Sequence, residues 1–225
     1  MKSAIVSVIN DLVTDQRVNK SCLALQKAGF EVLLVGRKQR KSPLMDERPY
    51  ASHRMKLLFE KGPLFYAEYN IRLFLFLFFH RANLLLSNDL DTILPNYFIS
   101  RLKGSKMVFD SHEYFTETPE LVHRPKVQKV WKRIEGFVVP KLSEMITVCD
   151  SIADLFREKY GVKCHGEARH TQMRDRASGV HPDVLEPLPP QKTRVCLLYC
   201  FVLSPLISLG AVLHHHLALS VKELT

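Results

Sequence analysis

Four short apolar runs in this chain each end at an amide or an acid. Ala4–Ile9 gives way to Asn10-Asp11 and Leu84–Leu86 to Ser87-Asn88-Asp89. Met107–Phe109 runs into Asp110-Ser111-His112-Glu113, and Met145–Cys149, the last clear strand, into Asp150-Ser151. Runs so short and continuous read as strands buried on both sides, the kind that parallel sheets use. Helical segments lie between them. Val18, Cys22 and Leu25 face the core of the first, and others run from Gly62-Pro63 to about Phe79, from Asp91 to about Leu102, and from Pro125 to about Val139. A short helix to Tyr160 stops at Gly161. With Glu31–Gly36 and a strand near Met55–Phe59 added, strands and helices alternate. The alternation predicts an α/β fold, a parallel sheet with helices on both faces. All strand carboxyl ends then share one rim, where such sheets bind ligands. Packing does not ask for acids and amides at four strand ends, so the rim is expected to hold a polyhydroxylated or phosphorylated ligand.

The richest of these ends is Met107–Phe115, MVFDSHEYF. His112 donates or accepts near neutral pH, and Asp110 and Glu113 stand beside it. The plainer alternative is a solvated loop carrying a helix cap. Several chemistries are absent from the motifs. The first β–α turn, NDLVTDQRV, contains no glycine, so it is no dinucleotide fingerprint, and the chain has no phosphate-binding P-loop. It has no nucleophile elbow and no metal-ligand spacing among its cysteines and histidines, so no metal is expected. LLLSNDLDTI sets two aspartates two apart after a strand, as aspartyl-phosphate phosphatases do, but Ile93 stands where those enzymes carry Thr or Val.

Charge narrows the partners. The net charge is +9, and residues 1–163 carry 26 Lys and Arg against 18 Asp and Glu. A basic excess favours a nucleotide diphosphate or an acidic membrane surface. Nucleic acid is not expected, for want of an RNP-type aromatic signature or zinc-finger spacing. Arg37–Lys41 reads as a solvated loop, with an anion contact as the alternative. The face Lys126, Lys129, Lys132, Arg133 reads likewise as solvated opposite a core side of Val127, Val130, Ile134, Phe137 and Val138, with anionic lipid as the alternative. Ile71–Phe79 (IRLFLFLFF) is too short for a bilayer that needs about 20 residues. It is expected to be a fully buried helix end, with contact to a membrane surface as the alternative. Five cysteines at irregular spacings fit a reducing compartment, and MKSAIVSVIN reads as a strand rather than an export signal, so a cytoplasmic location is expected.

Taken together, NDLVTDQRV, EVLLVGR, SNDLDTILP, VFDSHEYFTE and ITVCDSIADLF resemble the N-terminal half of bacterial family 4 glycosyltransferases. The resemblance covers residues 1 to about 163. It implies the GT-B fold, two Rossmann-like domains facing across a cleft, with this chain supplying the acceptor-side one. It also implies retaining transfer from a nucleotide-sugar donor to a glycan or lipid-linked acceptor, without a cofactor or catalytic metal. Asn10, Asp11 and Arg17 would line the cleft near the donor diphosphate. His112 matches the histidine that closes on the sugar, and Glu113 follows it; Asp89 and Asp91 match an acidic turn at the acceptor end. Asp110 completes the candidate set.

Beyond residue 163 the resemblance stops. Residues 164–225 are expected to form an irregular tail, the product of truncation or a shifted reading frame. Val195–Leu213 holds no charge over 19 residues and is long enough to span a membrane, though an accidental apolar run is the expected reading. Without the family's donor-binding domain the 225-residue chain is expected not to turn over a nucleotide sugar. The alternative is a non-catalytic or membrane-tethered α/β binding module.

Overall fold

The structure, a computed structural model, describes residues 2–166. Of the tail expected at 164–225, residues 167–225, the apolar run included, lie outside the described residues. Seven parallel strands form one sheet: β1 (Lys2–Asp11), β2 (Phe30–Lys38), β3 (Ala51–Lys56), β4 (Leu84–Asn88), β5 (Lys106–Ser111), β6 (Glu144–Thr147) and β7 (Lys163–Gly166), in the order β3-β2-β1-β4-β5-β6-β7. The helices are α1 (Gln16–Lys27), α2 (Gly62–Phe79), α3 (Ile93–Lys103), α4 (Pro119–Val122), α5 (Pro125–Val138) and α6 (Asp150–Tyr160).

The order reverses direction between β1 and β4. Right-handed crossovers therefore place α1 on one face of the sheet and the later helices on the other. Val18, Cys22 and Leu25 of α1 pack with Ala4, Val6 and Val8. Tyr69, Leu73 and Leu77 of α2 pack on Ile5 and Ile9, the alternate residues of β1. A second core on that side joins Phe98 of α3, Met107 and Phe109 of β5, Trp131 of α5 and Phe156 of α6. Local chemistry sets the ends. Asp15 caps α1, its carboxylate accepting the Val18 amide at 3.2 Å, and Pro63 opens α2. Gly104 and Gly161 end α3 and α6 in the left-handed region.

Several expectations change. The sheet continues past Met145–Cys149 into β7, whose Lys163–Gly166 register pairs with Glu144–Thr147, so it runs just past the boundary drawn at 163. KCHG carries too little apolar signal to read as a strand on its own. The strand expected near Met55–Phe59 is instead Ala51–Lys56; only Met55 of it is buried, because β3 lies at the sheet edge and pairs only with β2. In α5 the buried residues are Trp131, Glu135 and Val138, while Val127 of the expected core side is exposed. The Glu135 carboxylate stays inside because it accepts from Lys159 at 2.9 Å and the Tyr160 hydroxyl at 2.6 Å, tying α5 to α6. Ile71–Phe79 is not fully buried: Leu73 and Leu77 are, but Ile71, Leu75, Phe78 and Phe79 are exposed. Only one side of α2 meets the sheet, whatever the composition of the other.

Gly36 is where the first β–α turn crosses β2. A side chain there would run into Leu12 and stand 3.1 Å from the Asn10 carbonyl oxygen. Overpacking of this kind costs about 1–3 kcal/mol. Gly36→Ala should lower the Tm by roughly 3–10 °C in a thermal melt followed by circular dichroism. An unchanged Tm would show that the turn has room to shift.

Candidate functional site

The rim is built from the first turn outward. Asp11 ends β1 and is almost wholly buried. One carboxylate oxygen accepts the Val13 amide at 3.1 Å and Arg54 Nη2 at 2.9 Å; the other accepts the Gln39 amide at 3.0 Å. Burial by itself would raise its pKa, but these donors and the Ser42 hydroxyl outweigh it and hold the carboxyl below the usual range. Asp11 is therefore a clamp between the turn, the β2–β3 loop and the edge strand. Asn10 is also committed, its amide donating to Asp15 at 3.1 Å.

Arg17, in the first turn of α1, is half-exposed. Its guanidinium stands 4.0 Å from Asp15 and 3.9 Å from Asp89, and so spans from the β1 end to the β4 end. Asp89 holds φ 61°, the one described non-glycine residue with positive φ. Such a conformation costs on the order of 1 kcal/mol or more and persists only when the surroundings fix it. Here the Asp89 amide donates to the Asp110 carbonyl at 2.9 Å, while its carboxylate accepts the His112 amide at 3.2 Å. Burial raises the Asp89 pKa, and Asp15 adds to that; the His112 amide and Arg17 oppose it.

His112 sits against this turn with its side chain 9% exposed. Its Nε2 is buried without a hydrogen-bond partner, and Asp110 Oδ2 lies 3.6 Å away, beyond hydrogen-bond range. Burial, reinforced by Arg17, depresses the imidazole pKa to about 4, so the ring is neutral at neutral pH and its contact with Asp110 is no ion pair there. Glu113, next in the chain, is exposed; partial burial and the neighbouring Asp89 and Glu120 raise its pKa. Asp91 lies in a 3-10 turn (Leu90–Thr92) and is only 6% exposed, with Oδ1 unpartnered. Burial, then Asp89, pushes its pKa well up, so it is turned into the protein rather than presented on the rim.

A polar network inside the sheet places this turn. The Asn96 amide of α3 donates to Ser7 Oγ of β1 at 2.8 Å and to the Thr92 carbonyl at 2.8 Å. Thr92 Oγ1 donates to the Asn88 carbonyl at 2.9 Å, and the Asn88 amide donates to the Ser7 carbonyl at 3.1 Å. Asn88 Oδ1 is buried and unpartnered. These residues pass in the sequence as ordinary helix and strand positions.

A pocket of about 390 Å³ opens beside the first turn; Arg17, Arg37, Gln39 and Asn10 line it together with two acids, Asp11 and Asp15, that are already engaged with Arg54 and the Val18 amide. Arg37 is the residue that sequence reasoning set aside. It lies at the carboxyl end of β2 in register with Asp11, over the Phe65 ring at 4.6 Å, and its Nε is buried without a partner. Its signal is its place at the carboxyl end of the second strand, on the same rim as the other four polar ends. The structure thus brings Asn10, Asp15, Arg17, Asp89, His112 and Arg37 together at the β1/β4 reversal. The β6 end is separated from β1 by β4 and β5, with Cys149 Sγ 3.1 Å from Ser151 Oγ. Among the described residues no group of three or more His, Cys, Asp or Glu could hold a metal ion.

Solved structures share this architecture. A segment of sucrose-phosphate synthase from Thermosynechococcus elongatus matches with a TM-score of 0.58 at 11% identity, covering 81% of this chain and 97% of that one. The longer chain of the same enzyme matches at 0.55 and 11% identity, covering 73% of this chain and 47% of its own length. The present chain thus spans about half of that relative. The sheet is the Rossmann-like domain of a GT-B glycosyltransferase. The profile of Glycosyltransferase Family 4 matches residues 17–165, and the chain belongs to that family as an N-terminal domain. Comparison with curated proteins gives no match.

The neutral imidazole has a measurable consequence. His112 titrates near 6.5 when unfolded and near 4 when folded, so the unfolded chain binds the proton first. Stability is then lost as pH falls from about 6.5 toward 4, amounting to about 2 kcal/mol at pH 5. Urea unfolding at pH 7.5 and pH 5 should show a loss about 2 kcal/mol larger in the wild type than in His112→Gln, since His53, also depressed by burial, contributes to both. Equal losses in both proteins would place the titration elsewhere.

Proposed function

We propose that this domain is the acceptor-side wall of a retaining glycosyltransferase that moves a sugar from a nucleotide-sugar to a glycan or lipid-linked acceptor, in the cell-envelope polysaccharide class. The observation that carries the reading is the pair of guanidiniums, Arg17 and Arg37, on a pocket beside a neutral, unpaired imidazole. Two planar cations in a concave site suit a diphosphate, which each can meet through charge-assisted hydrogen bonds. As the sugar–phosphate bond breaks, negative charge grows on the leaving diphosphate, and fixed cations favour that state over the ground state. Arg17 takes this part, with Asp15 and Asp89 orienting its guanidinium.

His112 is suited to a different task. A neutral ring whose unpartnered Nε2 lies buried at the rim takes a sugar hydroxyl once it turns to the cleft, as donor or acceptor according to tautomer, and adds no charge to compete with the arginines. Asp89 positions it through the backbone amide. Glu113, exposed beside it, faces the acceptor side. The cleft of such an enzyme has two walls, and near-attack placement of donor and acceptor supplies roughly 7–11 kcal/mol of the barrier. One wall accounts for binding of the diphosphate; turnover calls for both.

Binding is accordingly the readout. Titration of the 225-residue chain with UDP, GDP and their sugars, followed by amide NMR, should perturb residues 10–17 and 37–39 first. Arg17→Ala should raise the Kd about tenfold, the worth of one charge-assisted hydrogen bond. Perturbations confined to other surfaces, or an Arg17→Ala protein that binds as the wild type does, would favour a binding module without a donor site.

A further inference from the structure

We infer that the outward face of α2, together with the adjoining end of α3, is a docking surface for an anionic lipid bilayer. At 3.6 residues per turn Leu64, Ile71, Leu75, Phe78 and Phe79 share the side of α2 opposite its buried Phe65, Tyr69, Leu73 and Leu77. Leu75 is 49% exposed and Phe79 76%, and Leu102 of α3 adds a further exposed side chain at 52%. A helix with one face on a core and the other in water ordinarily carries polar residues outside. This outer face carries two charges, Glu68 and Arg72, and they neutralise each other at 2.8 Å. A contiguous apolar stripe of this kind marks an interaction surface.

Charge at its two ends selects the occupant. The Lys103 ammonium closes the carboxyl end of α2, donating to the Leu77, Phe78 and His80 carbonyls at 2.8, 2.6 and 2.7 Å, and it lies 5.8 Å from the Phe78 ring. Burial, and then the nearby Arg81, depress the Lys103 pKa. Lys61 stands at the opposite end, just before the first turn. Among the described residues none of these three is paired with an acid. A second copy of this chain would set positive end against positive end whether the two stripes ran parallel or antiparallel. Anionic headgroups meet both ends at once, while the phenyl and leucyl groups enter the acyl boundary as those of an interfacial helix do.

The fold gives the contact a direction. α2 connects two parallel strands and so runs antiparallel to them, on the face opposite α1. With α2 flat on the bilayer, the strands lie along the surface and their carboxyl rim opens beside it, within reach of an acceptor held in the membrane. That last step rests on the transferase reading; the docking itself does not.

The test is co-sedimentation of the full chain with vesicles of phosphatidylcholine alone or mixed equally with phosphatidylglycerol, with no nucleotide present. The wild type should pellet with the mixed vesicles and weaken at about 0.5 M salt, where screening is short-ranged. Leu75→Asp/Phe79→Asp should bind at least tenfold more weakly, and Arg81→Glu about fivefold more weakly or worse. Circular dichroism reports whether the double variant folds, and Phe79→Ser replaces it if it does not. Failure of the wild type to bind anionic vesicles overturns the proposal. So does binding that the α2 variants leave intact, which would assign it to the apolar run at 195–213. Dimerisation in sedimentation velocity, abolished by Phe79→Asp and unaccompanied by vesicle binding, would give the face to a second copy. Since no donor enters the assay, these outcomes are independent of nucleotide binding at Arg17.

Discussion

The Asp11 carboxylate is the contact on which the rim depends. It is a charge taken out of water at the end of β1, and its cost is met by two backbone amides and the Arg54 guanidinium at 2.9–3.1 Å. Removing one member of such a buried set costs about 3–5 kcal/mol, because the remaining charge loses its partner. What the clamp holds is geometric. It ties the turn after β1 to the segment after β2 and to β3, so the loops that line the pocket cannot separate. With the Asp11 carboxylate engaged by Arg54 and two amides, Arg17 and Arg37 are the cations left to the pocket it also lines. A chain with the acid outside and the arginines inside would have the opposite selectivity.

The β4 end is held differently. Asp89 occupies a backbone region that glycine would enter freely, and it stays there through bonds to Asp110 and His112 on β5 and its continuation. Beneath it Ser7, Asn88, Thr92 and Asn96 form a polar network inside an otherwise apolar layer. Such networks raise the cost of any alternative packing, since each member would lose its partners in a low-dielectric interior. Strain above and a network below that is bonded at all but Asn88 Oδ1 give a turn that keeps one shape. Asp89 is thereby fixed relative to Arg17, and His112 relative to both.

Site and outward stripe meet in α2. Its inner face supports β1 from behind: the Tyr69 hydroxyl donates to the Val8 carbonyl at 2.6 Å, shortly before β1 ends in the pocket. Near its start Phe65 carries the Arg37 guanidinium. One helix therefore braces the pocket with one side and exposes an apolar stripe with the other.

Much of the fold was legible in the chain. Period and termination are local properties, and five of the seven strands, the main helices and the rim follow from apolar runs ending in polar clusters. Edge elements were not: β3 and β7 bury little, so their pairing rather than their composition makes them strands. The same division runs through the site. The sequence by itself determined that Asn10, Asp11, Asp89, Asp110 and His112 stand at strand ends, because a parallel sheet leaves them nowhere else. Which of them turn inward, as Asp11 and Asp91 do, and which meet solvent, as Arg17 and Glu113 do, only the tertiary structure decided. Burial depends on partners distant in sequence, such as Arg54 for Asp11 and Tyr69 near Asp91. The exposure of Ile71–Phe79 was settled in the same way: a helix apolar on every side carries no record of how many neighbours it will have, and here the sheet and α3 cover only part of it.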